Sequence, residues 1–207
     1  MTLSPRQQTI LYLSFTAILL GYWLVWMPGP AAGLQLIGLE MGEWVKFLPP
    51  VQAGQISASR NLFYLPPILL GLLLVFTTVN WPNRWPTWVV RGLAILVSWL
   101  AFPSLDAIRL EPWSEWLLRL VLVGVVALVA VGTHWLKGRF AAAYTPLLSA
   151  FIALAGVVLP TWAYLAMRPA IAQALARPVG FGPGFWLIGV GFAVAAAIFL
   201  RRSFTKD

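Results

Sequence analysis

Apolar residues gather along this chain into blocks of about 18 or more, set apart by short stretches where prolines, glycines and charges collect. A helix rises about 1.5 Å per residue, so a block of that length crosses the roughly 30 Å hydrocarbon core of a bilayer. Six such blocks cover residues 9–27, 62–79, 88–108, 116–136, 140–167 and 181–200. The pattern predicts an all-α integral membrane protein, a single polytopic domain over residues 1–207 with about six transmembrane helices. The first block exceeds the apolar stretch of a signal peptide, about 7–15 residues, and carries Tyr22, Trp23 and Trp26, so a retained transmembrane helix is expected.

The longest interval, residues 28–61, carries a different pattern. The breakers MPGP and FLPP enclose residues 33–48. At about 100° per residue, Leu34, Ile37, Met41, Trp44, Val45 and Leu48 form one stripe, with Gln35, Glu40, Glu43 and Lys46 opposite. This predicts an amphipathic helix, too short to span, lying in the outer interface with its apolar side in lipid and its charges among headgroups. Glu43 and Lys46, three residues apart, are placed to pair. Leu36, Leu39 and Phe47 interrupt the polar arc, which also suits it to cap a cavity or dock a partner.

Composition strengthens the membrane reading. The chain is 60% hydrophobic and 10% charged, with a mean hydropathy of +0.84, outside the range of soluble domains. It has no cysteine, which removes disulfides, thiolate metal sites and redox relays, and its one histidine, His134, removes any site that needs two imidazoles. No cofactor and no metal is therefore expected. The net charge of +8 is spread in ones and twos between apolar blocks rather than gathered into a patch, so it speaks for membrane topology and not for nucleic acid.

Six spans place both termini on one side. Arg6, Arg84, Arg91, Lys137, Arg139, Arg201, Arg202 and Lys206 fall on that side, against Lys46, Arg60, Arg109, Arg119, Arg168 and Arg177 on the other. The bias predicts cytoplasmic termini in what reads as a prokaryotic plasma (inner) membrane. Tryptophans agree, because the blocks place all of them at span ends or in loops, where an indole favours the headgroup layer.

Candidate chemistry lies on the outer side. Arg91 and Arg119, near span ends, are expected to reach headgroups. If the third helix continues through Pro103, Asp106 sits in its last turn with Arg109 one turn on, as a local ion pair. The alternative is an outer polar chamber of Arg60, Asp106, Arg109, Glu111, Glu115, Arg168 and Arg177 beneath the amphipathic helix. Glu40, Glu43, Lys46, Arg60, Asp106, Arg109 and Arg168 are thus the candidate ligand- or partner-binding residues, and no residue is assigned a catalytic role. Pro66, Pro67, Pro146 and Pro160 are expected to steer helices near membrane faces, and GFGPG, residues 180–184, to be a flexible entry to the sixth span. Gly191, Ala195, Ala141–Ala143, Ala150 and Ala153 form small-residue surfaces for close packing.

Known enzyme families of about six spans leave signatures that are missing here. There is no GxSG serine of rhomboid-like proteases and no second histidine for a phosphatidic-acid-phosphatase-like site. Aspartate occurs only at Asp106 and Asp207, too few for a CDP-alcohol phosphotransferase. No carboxylate falls at mid-membrane, which argues against ion-coupled transport. The expectation is a non-catalytic membrane subunit or scaffold that docks other membrane components or lipid, its partners being the bilayer and another membrane protein or a second copy. Two alternatives stand beside it: a solute-binding component of a transporter with an outward-facing site, and a membrane enzyme using Glu43 and Asp106 on a lipid-linked substrate.

Overall fold

The structure, a computed structural model, describes residues 4–29, 35–133 and 144–204. Helix α1, Pro5–Trp23, begins on a capping box in which Ser4 and Gln7 satisfy each other's backbone N–H groups, with Pro5 in the first turn. The chain then turns extended. Strand β1, Val25–Met27, pairs antiparallel with β2, Leu36–Ile37, a hairpin that the expected helix over residues 33–48 does not contain. Only Gly38–Val45, α2, is helical there, followed by one turn, α3, at Pro49–Gln52. Leu34 of the expected stripe lies outside the described residues.

A 3₁₀ turn, Arg60–Tyr64, capped by the Ser59 hydroxyl, leads into α4, Leu65–Thr77. Pro66 and Pro67 occupy its first turn, where a missing N–H leaves no bond unmade. Helix α5, Trp85–Ser98, closes in a second 3₁₀ turn, Trp99–Ala101, and Pro103 prevents the continuation expected to residue 108. A separate helix α6, Leu105–Leu110, starts on a Ser104 cap. Helices α7, Trp113–Gly132, α8, Tyr144–Ala174, and α9, Pro183–Phe204, complete a nearly all-α chain.

Among the described residues four helical runs are long and apolar enough to cross a membrane: Arg60–Thr77, α7, α8 and α9. Two of the six expected blocks are not among them, for two physical reasons. Trp85–Ala101 is apolar but shorter, and the first turn of α1 carries Arg6, Gln7 and Gln8, which dilute its hydropathy. Helix α8 runs 31 residues, roughly 46 Å at 1.5 Å per residue, and passes through Pro160 and Pro169 without ending. The outward faces of α7 and α8 are apolar, with Leu118, Val121, Val125 and Leu128 on one and Phe151, Leu154, Val158 and Leu165 on the other all exposed.

Helices α1 and α9 pack antiparallel at backbone contact. A Cβ at Gly21 would lie 2.8 Å from the Gly184 carbonyl, and one at Gly191 would lie 2.9 Å from the Ser14 carbonyl. Residues 180–184 are therefore not a loose entry: Gly182 donates to the Trp26 carbonyl at 2.7 Å, and a Cβ there would stand 2.2 Å from the Val25 oxygen. Ala150, Ala153 and Ala195 are buried in the core, while Ala141–Ala143 lie outside the described residues. Trp26 corrects another expectation. It is fully buried, donates its indole N–H to the Gly21 carbonyl at 2.9 Å, and meets Tyr22, Phe63 and Phe185 edge-on, whereas Trp23, Trp85, Trp99, Trp113, Trp162 and Trp186 are exposed.

Candidate functional site: a charge network at one end of the bundle

The end of the molecule where α1 stops and α4, α7 and α9 start gathers six charged side chains. Burial of Met41 and Val45 orients α2, and Gly42 lets the Tyr64 ring approach to where a Cβ would lie 2.4 Å away. Glu43 is thereby turned toward the bundle. Its Oε1 accepts from the Tyr64 hydroxyl at 2.5 Å and from Arg119 Nη1 at 3.1 Å, and its Oε2 accepts from Lys46 Nζ at 2.8 Å. Lys46 also donates to Glu111 Oε1 at 2.7 Å. Arg60 donates through Nη2 to Glu111 Oε2 and through Nε to Glu115 Oε2 at 3.1 Å, while its Nη1 stands 3.7 Å from Glu43 Oε2.

Three carboxylates and three cations thus form one neutral chain. Its interior is deeply buried: Arg60 is 6% exposed and Arg119 2%, the latter with its guanidinium 4.2 Å over the Tyr64 ring. An unpaired ion at such depth is expensive, and the alternation of sign is what makes the burial tolerable. The match is incomplete, since Arg119 Nε and Nη2, Arg60 Nη1 and the Tyr22 hydroxyl are buried without a hydrogen-bond partner among the described residues.

Protonation follows from these contacts. Burial would raise the Glu43 carboxyl, but hydrogen bonds from Lys46 and Tyr64 and the charges of Lys46 and Arg119 outweigh it and bring it down to about 2. Burial likewise opposes the ionised form of Glu111, and the hydrogen bonds from Lys46 and Arg60 reverse the effect and lower it. Burial disfavours the Lys46 ammonium, yet its bonds to Glu111 and Glu43 raise it overall. Near neutral pH Glu43, Glu111 and Lys46 are charged.

Of the residues singled out from sequence, Glu43, Lys46 and Arg60 come together, and the Glu43–Lys46 pair forms as expected. Glu111 and Glu115 of the polar chamber join them. Glu40 is exposed and caps α2, accepting from the Ile37 N–H at 3.4 Å. Asp106 and Arg109 stay on α6, exposed, and make no ion pair among the described residues, because Pro103 separates α6 from the third span. Arg168 donates to the Val179 carbonyl at 2.6 Å and lies 5.1 Å over Phe181, and Arg177 donates to the Pro28 carbonyl at 2.9 Å, so both secure the α8–α9 connection instead.

Arg119 and Arg91 do not reach for headgroups. Arg119 turns inward to Glu43, and Arg91 is buried, donating to the Thr78 hydroxyl at 3.1 Å beside the Trp88 ring. The sequence signal at Arg119 pointed elsewhere: it stands four residues after Glu115 on α7, yet its ion pair is with Glu43. Tyr64 had none. His134 lies outside the described residues.

Beside the network opens a cleft of about 470 Å³, walled by Lys46, Arg60, Glu111 and Glu115 and by the segment from Phe47 to Ser59. Among the described residues no group of three or more His, Cys, Asp or Glu is assembled to hold a metal. The site can fix a segment of chain and present charge; Glu43 and Glu111 are held too strongly as anions to exchange protons near neutral pH. No protein-family model matches the chain, and comparison with curated proteins and with solved structures finds no match.

Proposed function

We propose that the protein is a non-catalytic polytopic membrane component that docks other membrane components or lipid, with its charge network serving as the anchor of its outer segment. The observation that carries this reading is the commitment of all three carboxylates to cations within one neutral chain whose two arginines are buried. A general acid or base needs a pKa near the working pH, and Glu43 is held at about 2. Glu43 and Asp106 are also not in one site, which takes away the pair that a membrane enzyme would use.

In this reading all six helices α1, α4, α5, α7, α8 and α9 cross the bilayer, α1 and α5 as shorter or less apolar members, with both termini cytoplasmic. The network then sits at outer headgroup depth, and the cell membrane of a prokaryote is the setting. Residues 38–48 lie at that interface, with Met41 and Val45 covered by protein and Phe47 exposed.

Native mass spectrometry of the protein extracted from its own membrane in mild detergent tests the proposal. Stoichiometric co-migration of a membrane-protein partner, a second copy or a defined lipid is the expected result. A bare monomer would overturn it. The cleft favours a second reading, a solute-binding transport component with an outward-facing site, and a retained water-soluble molecule in the same experiment would select it.

A further inference from the structure

The charge network does not consume all the bonding capacity at the cleft. Lys46 uses two of its three ammonium N–H groups, on Glu43 and Glu111. Glu115 uses Oε2 on Arg60, and its side chain is 48% exposed. Lys46 and Glu115 stand at opposite ends of the run Lys46, Glu111, Arg60, Glu115, all four of which wall the cleft. The lining therefore offers both an ammonium donor and a carboxylate oxygen.

Gln52 and Ser57 line the same cleft and their side chains make no hydrogen bond among the described residues, so neutral donors and acceptors are available as well. Val51 and Ile56 add apolar surface. At about 470 Å³ the space falls in the range of small-ligand sites, about 300–1,000 Å³.

We infer that this cleft binds a zwitterionic group, its anionic end on Lys46 and its ammonium on Glu115. A lone anion would meet the carboxylates of Glu111 and Glu115, and a lone cation would meet Lys46 and Arg60; only a ligand with both signs complements a lining that carries both. The inference rests on the reading that the outer segment is a fixed wall, but not on the docking of protein partners. Such a group arrives either as the headgroup of an aminophospholipid at interface depth or as a free water-soluble zwitterion.

The full chain in an uncharged maltoside detergent is titrated with phosphoethanolamine, with ethanolamine, with inorganic phosphate, and with short-chain phosphatidylethanolamine against short-chain phosphatidylglycerol. Thermal unfolding and equilibrium binding are followed. Phosphoethanolamine or phosphatidylethanolamine should raise the unfolding midpoint in a saturable way, while ethanolamine, phosphate and phosphatidylglycerol leave it in place. A response to the lipid alone identifies a headgroup site, and a response to the soluble compound as well identifies a solute site. Glu115→Gln should weaken the binding about tenfold or more, the worth of one charge-assisted hydrogen bond. No response to either zwitterion, or an equal response to phosphate alone, overturns the inference, and the ligand panel on the unaltered chain decides this even if the variant fails to fold. Failure here would leave the partner-docking test by native mass spectrometry untouched.

Discussion

Arg119 has its charge answered by one carboxylate, and this makes Glu43 the residue whose loss costs most. Glu43→Gln strands Arg119, 2% exposed, without an anion, and breaking a buried pair in this way costs about 3–5 kcal/mol. Asp106→Asn, on an exposed side chain without an ion pair among the described residues, should stay within about 0.5 kcal/mol. Chemical or thermal unfolding in detergent distinguishes the two. The pH dependence has a definite sign. Glu43 falls from an ordinary 4.5 to about 2 in the fold, so its contribution is complete above 4.5 and is lost as pH drops toward 2. Lys46 is raised, so its contribution is complete below its ordinary 10.5 and is lost as pH climbs through its higher folded value. The unfolding midpoint should be level from about pH 6 to 9 and fall in acid, and the acid fall should shrink in Glu43→Gln. At this scale Glu43 with Lys46 was legible as a three-residue spacing, but Tyr64 and the inward turn of Arg119 were not, because their partners lie 21 and 76 residues away.

Between elements, glycine decides how closely α1 and α9 approach. Gly182→Ala would place a methyl 2.2 Å from the Val25 oxygen, a backbone atom that cannot step aside, and should cost several times the energy of an ordinary surface change. Gly189→Ala, seven residues on in the same chain, meets nothing within 4 Å and removes a flexible residue from a helix interior, so it should be neutral or stabilise by up to about 1 kcal/mol. Paired unfolding measurements check the contrast, and equal effects would mean that the contact of Gly182 with β1, at the start of α9, is looser than described. The long apolar helices were visible in sequence because a run apolar enough to cross a bilayer is a local feature of the chain. The end of α5 at Pro103 has a local cause that the apolar run masked, a ring that cannot continue the helix, whereas the β1–β2 hairpin lies where pairing with a neighbouring segment, rather than periodicity, selects the backbone.

For the whole molecule, the proposed topology is open to a direct test because the chain has no cysteine of its own. Single cysteines at Ser57 and Ser104 should react with a membrane-impermeant maleimide on intact cells, and those at Asn83 and Ser203 only after permeabilisation. Labelling of Asn83→Cys and Ser57→Cys from one side would remove the crossing by α4 and, with it, the six-span layout. The same measurement places the network, since Ser57 belongs to the wall of the cleft beside it.

Helices apolar enough to cross a membrane and a nearly all-α chain were set by sequence alone, because hydropathy over a helix length is a local sum that needs no tertiary contact. The same sum exposed the charged residues between the apolar blocks as exceptions. Tertiary structure decided which of them meet: it collected Glu43, Lys46, Arg60, Glu111, Glu115 and Arg119, and left Glu40, Asp106, Arg109 and Arg168 apart. The physical reason is that a charge buried at a helix end is stable only beside its counter-charge, and for most of these residues that counter-charge comes from an element far along the chain.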